Sequence, residues 1–450
     1  MSISKSEARL ESLLNRLPAA PHYCIAYSGG VDSHVLLHFL ASRIDRLQAV
    51  LTAVHVDHRI QPQSGDWAKH CRAVCAQLGV PFDVLQVDGR PVAGESPEAA
   101  ARRVRYQALA DWLPADAVLL TGQHRQDQAE TLVLQLFRGA GPRGLAAMPS
   151  VAPFGAGRLA RPLLETSRRE ILAYAHAQQL CWVEDPSNAD TRYDRNLLRH
   201  ELMPLVRRRW PAIDAVLARA AALQADQADL AAALAQIDLG RCQTGDQSDR
   251  LPVASLAALS AARQRNLLRH WIETNGLPVP SRAVLQQVLD SVLAARSDAN
   301  PRLQWPGAEL RRYHDRLYIM PPLPPAADTG LRIRWNINES LALPGGTLGA
   351  HATTGSGVRA AADMRLEVGF RRGGEVLRPT GRREHHTLKK LFQEWQVPAW
   401  ERALVPLVFS GGELIAVADF CVCEGYQAAH GERGYDLYWN RTPNSAAVAL

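Results

Sequence analysis

Ser28-Gly29-Gly30-Val31-Asp32-Ser33 stands between an apolar run, Tyr23-Cys24-Ile25-Ala26-Tyr27, and a helical pattern, Val35-Leu36-Leu37-His38-Phe39-Leu40. A strand, a glycine-rich turn and a helix in that order present free backbone N–H groups to a phosphate. The two glycines let the backbone approach an anion closely, and Ser28 and Ser33 add hydroxyl donors. The spacing lacks the lysine that follows the last glycine of a Walker loop, and it lacks the third glycine of G-x-G-x-x-G. A tight strand-to-helix turn that binds nothing has the same local sequence, so the surrounding chain decides between the two.

Outward from this loop, strand-like and helical segments alternate over residues 20–125. The strand-like runs are His22–Tyr27, Leu47–Val56, Pro81–Val87 and Ala117–Thr121, separated by helical patterns at Val35–Ile44, Gly65–Leu78, Pro97–Trp112 and Gln128–Phe137. Apolar strands alternating with amphipathic helices predict an α/β fold with a doubly wound parallel sheet. Ligands of such sheets bind at the carboxyl ends of the strands. The glycine loop falls at one such end, Asp57 and His58 at a second, and His124 at a third.

The texture changes after Arg208-Arg209-Trp210-Pro211. Residues 212–240 are rich in Ala, Leu, Gln and Asp and read as a helix. Helical patterning continues over 255–296, around Asn275-Gly276-Leu277-Pro278, and Leu310–Met320 reads as two strands around a turn. Pro321-Pro322-Leu323-Pro324-Pro325 is a stiff linker, and the glycine-rich remainder reads as a small α+β domain. The expected domains are therefore 1–210, α/β; 211–325, mostly helical; and 326–450, α+β.

A hydrophobic content of 47% suits a globular chain with real cores, and no apolar run is long enough to span a bilayer. The stretch Met1–Glu7 has no apolar signal region, so the cytoplasm is the default compartment. Seven cysteines do not form a disulfide framework. Cys71 and Cys75 are four apart on a helix and Cys421 and Cys423 two apart on a strand, the pattern of buried thiols. A net charge of +6 permits a polyanionic partner without requiring one.

Three further segments carry polar chemistry. In Pro97-Glu98-Ala99-Ala100-Ala101-Arg102-Arg103-Val104-Arg105-Tyr106, Ser96 is placed to cap a helix whose Arg102 and Arg103 could grip phosphates or sit on a solvated face. Asp127 and Glu130, three apart in His124-Arg125-Gln126-Asp127-Gln128-Ala129-Glu130-Thr131, project from nearby faces of a helix start. They suit a Mg²⁺ ion or simple capping. Glu184-Asp185-Pro186-Ser187-Asn188, with Arg195, Asn196 and Arg199 beyond it, reads as a polar loop able to hold an amino acid or a base. Near the C-terminus, Arg371, Arg372, Arg378, Arg382, Arg383, Lys389 and Lys390 crowd around Phe370, Phe392 and Trp395. That mixture suits RNA phosphates and stacked bases, or a helix with a basic outer face and a buried aromatic one.

The loop resembles that of the ATP pyrophosphatase family, and the joint order of motifs resembles the tRNA(Ile)-lysidine synthase family. The order runs from Ser-Gly-Gly-Val-Asp-Ser through Pro-Glu-Ala-Ala-Ala-Arg-Arg and His-x-x-Asp-Gln-x-Glu-Thr to Glu-Asp-Pro-Ser-Asn. Arg138-Gly139-Ala140-Gly141 and Phe370-Arg371-Arg372-Gly373-Gly374-Glu375 extend it over nearly the whole chain. The resemblance implies an adenine nucleotide alpha hydrolase-like catalytic domain followed by two tRNA-binding domains. It implies ATP-dependent ligation of L-lysine to carbon two of the wobble cytidine of tRNA(Ile) bearing a CAU anticodon. An adenylated cytidine would be the intermediate and lysidine, AMP and pyrophosphate the products.

By the same resemblance, Ser28, Gly29, Gly30, Val31, Asp32 and Ser33 would bind ATP, and Asp32 and Asp127 would hold Mg²⁺. Asp32, Arg102, Arg103 and Asp127 would be catalytic. His58, His124, Asp185, Asn188 and Arg195 would face substrate, with Arg371, Arg372, Lys389 and Lys390 turned to the tRNA. A homodimer is plausible for the family, and no membrane association is implied. Two departures stand out: Gln126-Asp127 where the family often has two acids, and Arg59 after His58 where it often has glycine. The rival readings are a tRNA cytidine thiolase, which would be expected to carry cysteine pairs, an amidotransferase-type synthetase, and a non-catalytic RNA-binding protein.

Overall fold

A computed structural model describes residues 5–59, 64–90, 97–242, 248–296, 299–323, 330–359 and 365–441. They fall into two compact units, Met1–Ala231 and Ala232–Leu450. In the first, the order is α1 Lys5–Leu14, β1 His22–Ala26, α2 Val31–Ala41, the short α3 Ile44–Leu47, β2 Val50–Asp57, α4 Ser64–Gln77, β3 Phe82–Gln86, α5 Pro97–Trp112 and β4 Val118–Leu120. Next come α6 Arg125–Phe137, the single turn α7 Pro142–Leu145, β5 Val151–Phe154, β6 Gly157–Ala160, α8 Arg168–Ala177, α9 Asp194–Leu197 and α10 Met203–Arg209. Helix α11, Ile213–Cys242, contains the boundary.

The sheet order is β3-β2-β1-β4-β6-β5. All neighbours are parallel except the β5–β6 hairpin at one edge. The chain winds from β1 outward through β2 to β3, then returns to place β4 on the other side of β1. The reversal opens a crevice at the carboxyl ends of β1 and β4, where such sheets take ligands. The glycine loop follows β1, and His124 follows β4. Neighbouring β1 residues serve opposite layers: Ile25 packs with Leu36, Phe39 and Ile171, and Cys24 packs with Val54, Leu109 and Leu159.

Helix α2 is buried almost all round, through Val31, Ser33, His34, Val35, Leu36, Leu37, Phe39 and Leu40. It begins at Val31, four residues before its apolar pattern, because Gly30 adopts an extended conformation (φ −74°, ψ 160°) as N-cap. Helix α6 likewise starts early, at Arg125, because His124 is its extended N-cap. The β5–β6 hairpin has no counterpart in the sequence reading. Its glycines explain it: Gly155 has φ +54°, and a Cβ on Gly157 would lie 2.2 Å from the Ala117 carbonyl oxygen.

The second unit opens with the end of α11, followed by β7 Arg250–Pro252, α12 Val253–Ala257, α13 Ala261–Thr274 and α14 Arg282–Gln287. Strands β8 Arg302–Trp305, β9 Ala308–Tyr313 and β10 Arg316–Met320 complete an antiparallel sheet ordered β7-β10-β9-β8. Pro324 and Pro325 of the expected linker, and the expected cap Ser96, lie outside the described residues. The C-terminal part is richer in strands than an even α+β mixture. Among the described residues three sheets carry it, of five, four and two strands, with one helix, Leu388–Glu394.

Phe39 ties α2 to its layer. It is fully buried, meets the Tyr174 ring edge-on at 6.0 Å, and carries the Arg43 guanidinium 4.1 Å above its face. Truncation there removes the ring and leaves a cavity between α2 and Tyr174 of α8. Phe39→Ala should therefore destabilise the first unit by about 3–5 kcal/mol. Urea unfolding should show a lower midpoint at unchanged slope; an unchanged midpoint would mean that the site collapses around the smaller side chain.

Candidate active site

The loop after β1 is held open by its own hydroxyls. Ser33 Oγ donates to the Gly30 carbonyl at 3.0 Å, accepts from the Ser28 N–H at 3.2 Å and lies 3.1 Å from Ser28 Oγ. Gly29 has φ +84°, which a side chain would strain. A Cβ on Gly122 would sit 2.9 Å from Ser33 N and 3.0 Å from the Asp32 carbonyl carbon. The turn after β4 therefore rests directly on the backbone that opens α2. A third segment joins them, because the Val183 N–H donates to the Gly29 carbonyl at 3.0 Å.

Asp32 stands in the first turn of α2, facing His124. His124 is almost wholly buried, and its Nδ1 accepts the Gln126 N–H at 3.2 Å. The neutral ring therefore carries its proton on Nε2, which lies 3.6 Å from Asp32 Oδ1. Among the described residues neither Asp32 Oδ1 nor His124 Nε2 has a hydrogen-bond partner, although both atoms are buried. Burial pushes the Asp32 carboxyl above the usual carboxylate range, and Asp127 adds to this against His124, Arg168 and Arg199.

Asp127 and Glu130 are committed to arginines from the polar loop. Arg199 Nη2 donates to Asp127 Oδ1 and to Glu130 Oε2 at 2.7 Å each, and its Nε donates to Glu130 Oε1 at 3.0 Å. Arg195 approaches Asp127 Oδ1 and Glu130 Oε2 at 3.4 Å. The other Asp127 oxygen accepts the His124 N–H at 2.9 Å and closes the capping box of α6. Burial opposes the Asp127 charge, yet His124, Arg195, the His124 N–H and Arg199 together hold its carboxyl below the ordinary range. Two acids and two arginines thus form a balanced, partly buried cluster beside Asp32.

His58 follows β2 directly and so stands at the same rim. Burial, with Arg105 and His55 nearby, brings His58 down to about 4, so its ring is neutral at pH 7. Arg102 and Arg103 occupy exposed positions of α5. Asp185 follows Val183 by two residues. Asn188 belongs to the turn Pro186–Ala189, its side chain outside the described set. In the second unit, Lys389 and Lys390 are exposed on the helix whose Leu388, Leu391 and Phe392 are buried. Arg372 is exposed, and Arg371 lies 3.6 Å from Glu375. Phe370 and Phe392 belong to the core, so the basic half of that patch is surface and most of its aromatic half is not.

Four contributors carried no mark in the sequence reading or only a faint one. Gly122 acts by lacking a side chain. Glu130 and Arg199 stood inside quoted motifs but acquire a role only by meeting each other. Arg161 follows β6 directly, a charged residue at the end of an apolar run, and is 92% buried as the complement of its 8% exposure.

Residues 3–206 match the PP-loop domain family, 251–318 the TilS substrate binding domain and 366–439 the TilS substrate C-terminal domain. A tRNA(Ile)-lysidine synthase of Coxiella burnetii is 42% identical, over 95% of this chain and 95% of that protein. One from Alkalilimnicola ehrlichii is 45% identical, over 93% and 94% respectively. A solved U34-tRNA thiolase from Methanococcus maripaludis aligns at TM-score 0.42 and 15% identity, over 49% of this chain and 77% of that one. The high identity to the curated relatives over nearly their whole length shows that the chain belongs to the tRNA(Ile)-lysidine synthase family.

Proposed function

We propose that this protein uses ATP to ligate free L-lysine to carbon two of the wobble cytidine in the CAU anticodon of tRNA(Ile), forming lysidine. The observation that carries the reading is a phosphate-type loop with one buried, unpartnered carboxylate oxygen, in a chain of this family. The cytidine O2 bonds to the α-phosphorus of ATP as the bond to the β-phosphoryl oxygen breaks and pyrophosphate departs. The ε-amine of lysine, after losing a proton, then bonds to carbon two as AMP leaves.

The N–H groups opening α2, with Ser28 and Ser33, would hold the departing pyrophosphate. Mg²⁺ fits the donor set. It takes one or two carboxylates and fills its other positions with phosphate oxygens and water, and Asp32 Oδ1 is open to such an ion. Asp32 would be its main protein ligand; Asp127, whose oxygens are held by Arg199, Arg195 and the His124 N–H, would join it by giving up one of those bonds, and the ion would neutralise charge on the phosphates. Arg102 and Arg103 would stabilise charge on the transferring phosphoryl group. The acid–arginine cluster suits a zwitterion: Arg195 can meet the carboxylate of lysine, and Asp127, kept ionised, can orient an ammonium. Asp185 is a second partner for an ammonium and a candidate base. Arg371, Arg372, Lys389 and Lys390 would add phosphate contacts to the tRNA. All seven cysteines are free, which suits the reducing cytoplasm where ATP, lysine and tRNA meet.

Purified protein incubated with ATP, Mg²⁺ and labelled lysine should label an isoleucine tRNA transcript with a CAU anticodon and leave a methionine transcript with the same anticodon unlabelled. Labelling of neither, with RNA binding intact, would point to a different nucleophile.

Asp32→Asn should lower lysine incorporation at least about a hundredfold. The same change should raise Tm by a few degrees at pH 7. In the folded protein the Asp32 carboxyl titrates above its unfolded value, so its charge costs stability at pH values above that range. The gain from Asn is full at neutral pH and fades as pH falls through the folded value to the unfolded one. Wild-type incorporation by this variant would remove Asp32 from the metal site, and a lowered Tm at pH 7 would remove the burial cost.

A further inference from the structure

On the side of the sheet opposite α2, Arg161 leaves the end of β6 toward α5. Thr121 N–H donates to the Ala160 carbonyl at 3.1 Å, which places Arg161 at the same rim as the turn after β4. Strand β4 lies between β1 and β6, so Arg161 is two strand spacings, about 10 Å, along the rim from the glycine loop. Leu159 packs in the layer that holds α5, and Arg161, two residues on, faces the same way.

Arg161 Nη1 donates to the Pro149 carbonyl at 2.8 Å, while its Nε is buried without a partner. Its guanidinium interacts with Tyr106 and is repelled by Arg102. Arg102 stands 4.7 Å from the centre of the Tyr106 ring and Arg105 stands 5.8 Å from it. The far edge of that ring rests on Phe154 at 5.8 Å. Three guanidinium groups thus converge on one phenol, and among the described residues no carboxylate pairs with Arg161. A buried arginine whose Nε donor has no partner among the described residues is suited to an oxyanion.

We propose that Arg161, braced against Tyr106, binds one backbone phosphate of the RNA substrate next to the reacting base. The proposal rests on the ligase reading for the identity of that RNA. A base that attacks the α-phosphorus above the glycine loop must have its own backbone a short way along the rim. Arg161 is on that rim, displaced from the loop. A phosphate of ATP has the same chemistry, and the experiment separates the two.

The test uses the full-length Arg161→Gln and Arg161→Lys variants. RNA affinity for the CAU isoleucine transcript is measured across a salt series, and the KM for ATP in the lysine-incorporation assay. Arg161→Gln should bind the transcript about tenfold more weakly. Its log–log salt slope should fall by about one, with the KM for ATP unchanged. Arg161→Lys should keep the wild-type slope but lose several-fold in affinity, because the charge remains and the fork does not. Unchanged affinity and slope in a folded Arg161→Gln variant would overturn the proposal. So would a raised KM for ATP with RNA binding intact, which would assign the site to the nucleotide. If Arg161→Gln does not fold, Arg161→Lys decides: wild-type RNA affinity there overturns the proposal. Lack of lysine incorporation by the wild-type protein, with the binding difference preserved, would sink the ligase reading and leave this one standing.

Discussion

The close approach of three backbone segments around Asp32 is the constraint on which the site depends. The loop after β1 must expose its N–H groups, so Gly29 takes a left-handed conformation and Gly30 caps α2 without a side chain. The turn after β4 can reach that backbone only because residue 122 has no Cβ. Val183 pins the third segment to Gly29. Those contacts bury Asp32 Oδ1 and leave it without a donor among the described residues, with the unpaired His124 Nε2 facing it. Buried polar atoms are normally paired, and two unpaired ones facing each other mark a place where the fold gives up stability for function.

Electrostatics divides the rim into two kinds of surface. Around α6, two carboxylates meet two guanidinium groups at hydrogen-bonding distances, and the charges balance. A balanced cluster attracts neither a strong anion nor a strong cation; it can trade its internal bonds for those of a zwitterion. Around α5 and β6, Arg102, Arg105 and Arg161 gather at the Tyr106 phenol. Burial lowers the proton affinity of Arg161, yet a guanidinium remains charged at neutral pH. The sheet sets these two surfaces along a single edge.

Much of this was legible in the sequence. The order of strands and helices could be read because buried parallel strands are continuous apolar runs, and because Gly29-Gly30 and Pro97 punctuate them. Asp32 could be read because it stands inside the glycine loop. Element ends were harder. His124 and Gly30 begin their helices through extended N-cap conformations, which an apolar pattern does not register. The β5–β6 hairpin escaped because its four-residue strands turn on Gly155 and Gly157, whose need for space comes from distant Ala110 and Ala117. Arg161 escaped for a related reason: the identity of its neighbours is set by α5 crossing β6, a contact between residues about fifty apart. In the C-terminal part, the sequence brought basic and aromatic residues together, and the fold parted them by burying Phe370 and Phe392.

The same packing speaks to sulfur transfer, the rival chemistry within the superfamily. A transferring thiol must be exposed and have a lowered pKa. Cys71 and Cys75 are fully buried, and burial pushes both up to about 12. Cys71 Sγ lies 3.1 Å from the point where a Cβ on Gly29 would stand, so this thiol fills the floor beneath the glycine loop. In the second unit, burial likewise pushes Cys421 up to about 12 and Cys423 to about 11. A sulfur atom drawn from beneath the loop would take away the surface against which Gly29 is seated. The arrangement that presents the loop to phosphate therefore keeps Cys71 inert, whereas Cys181, two residues before the Val183 that pins Gly29, is exposed.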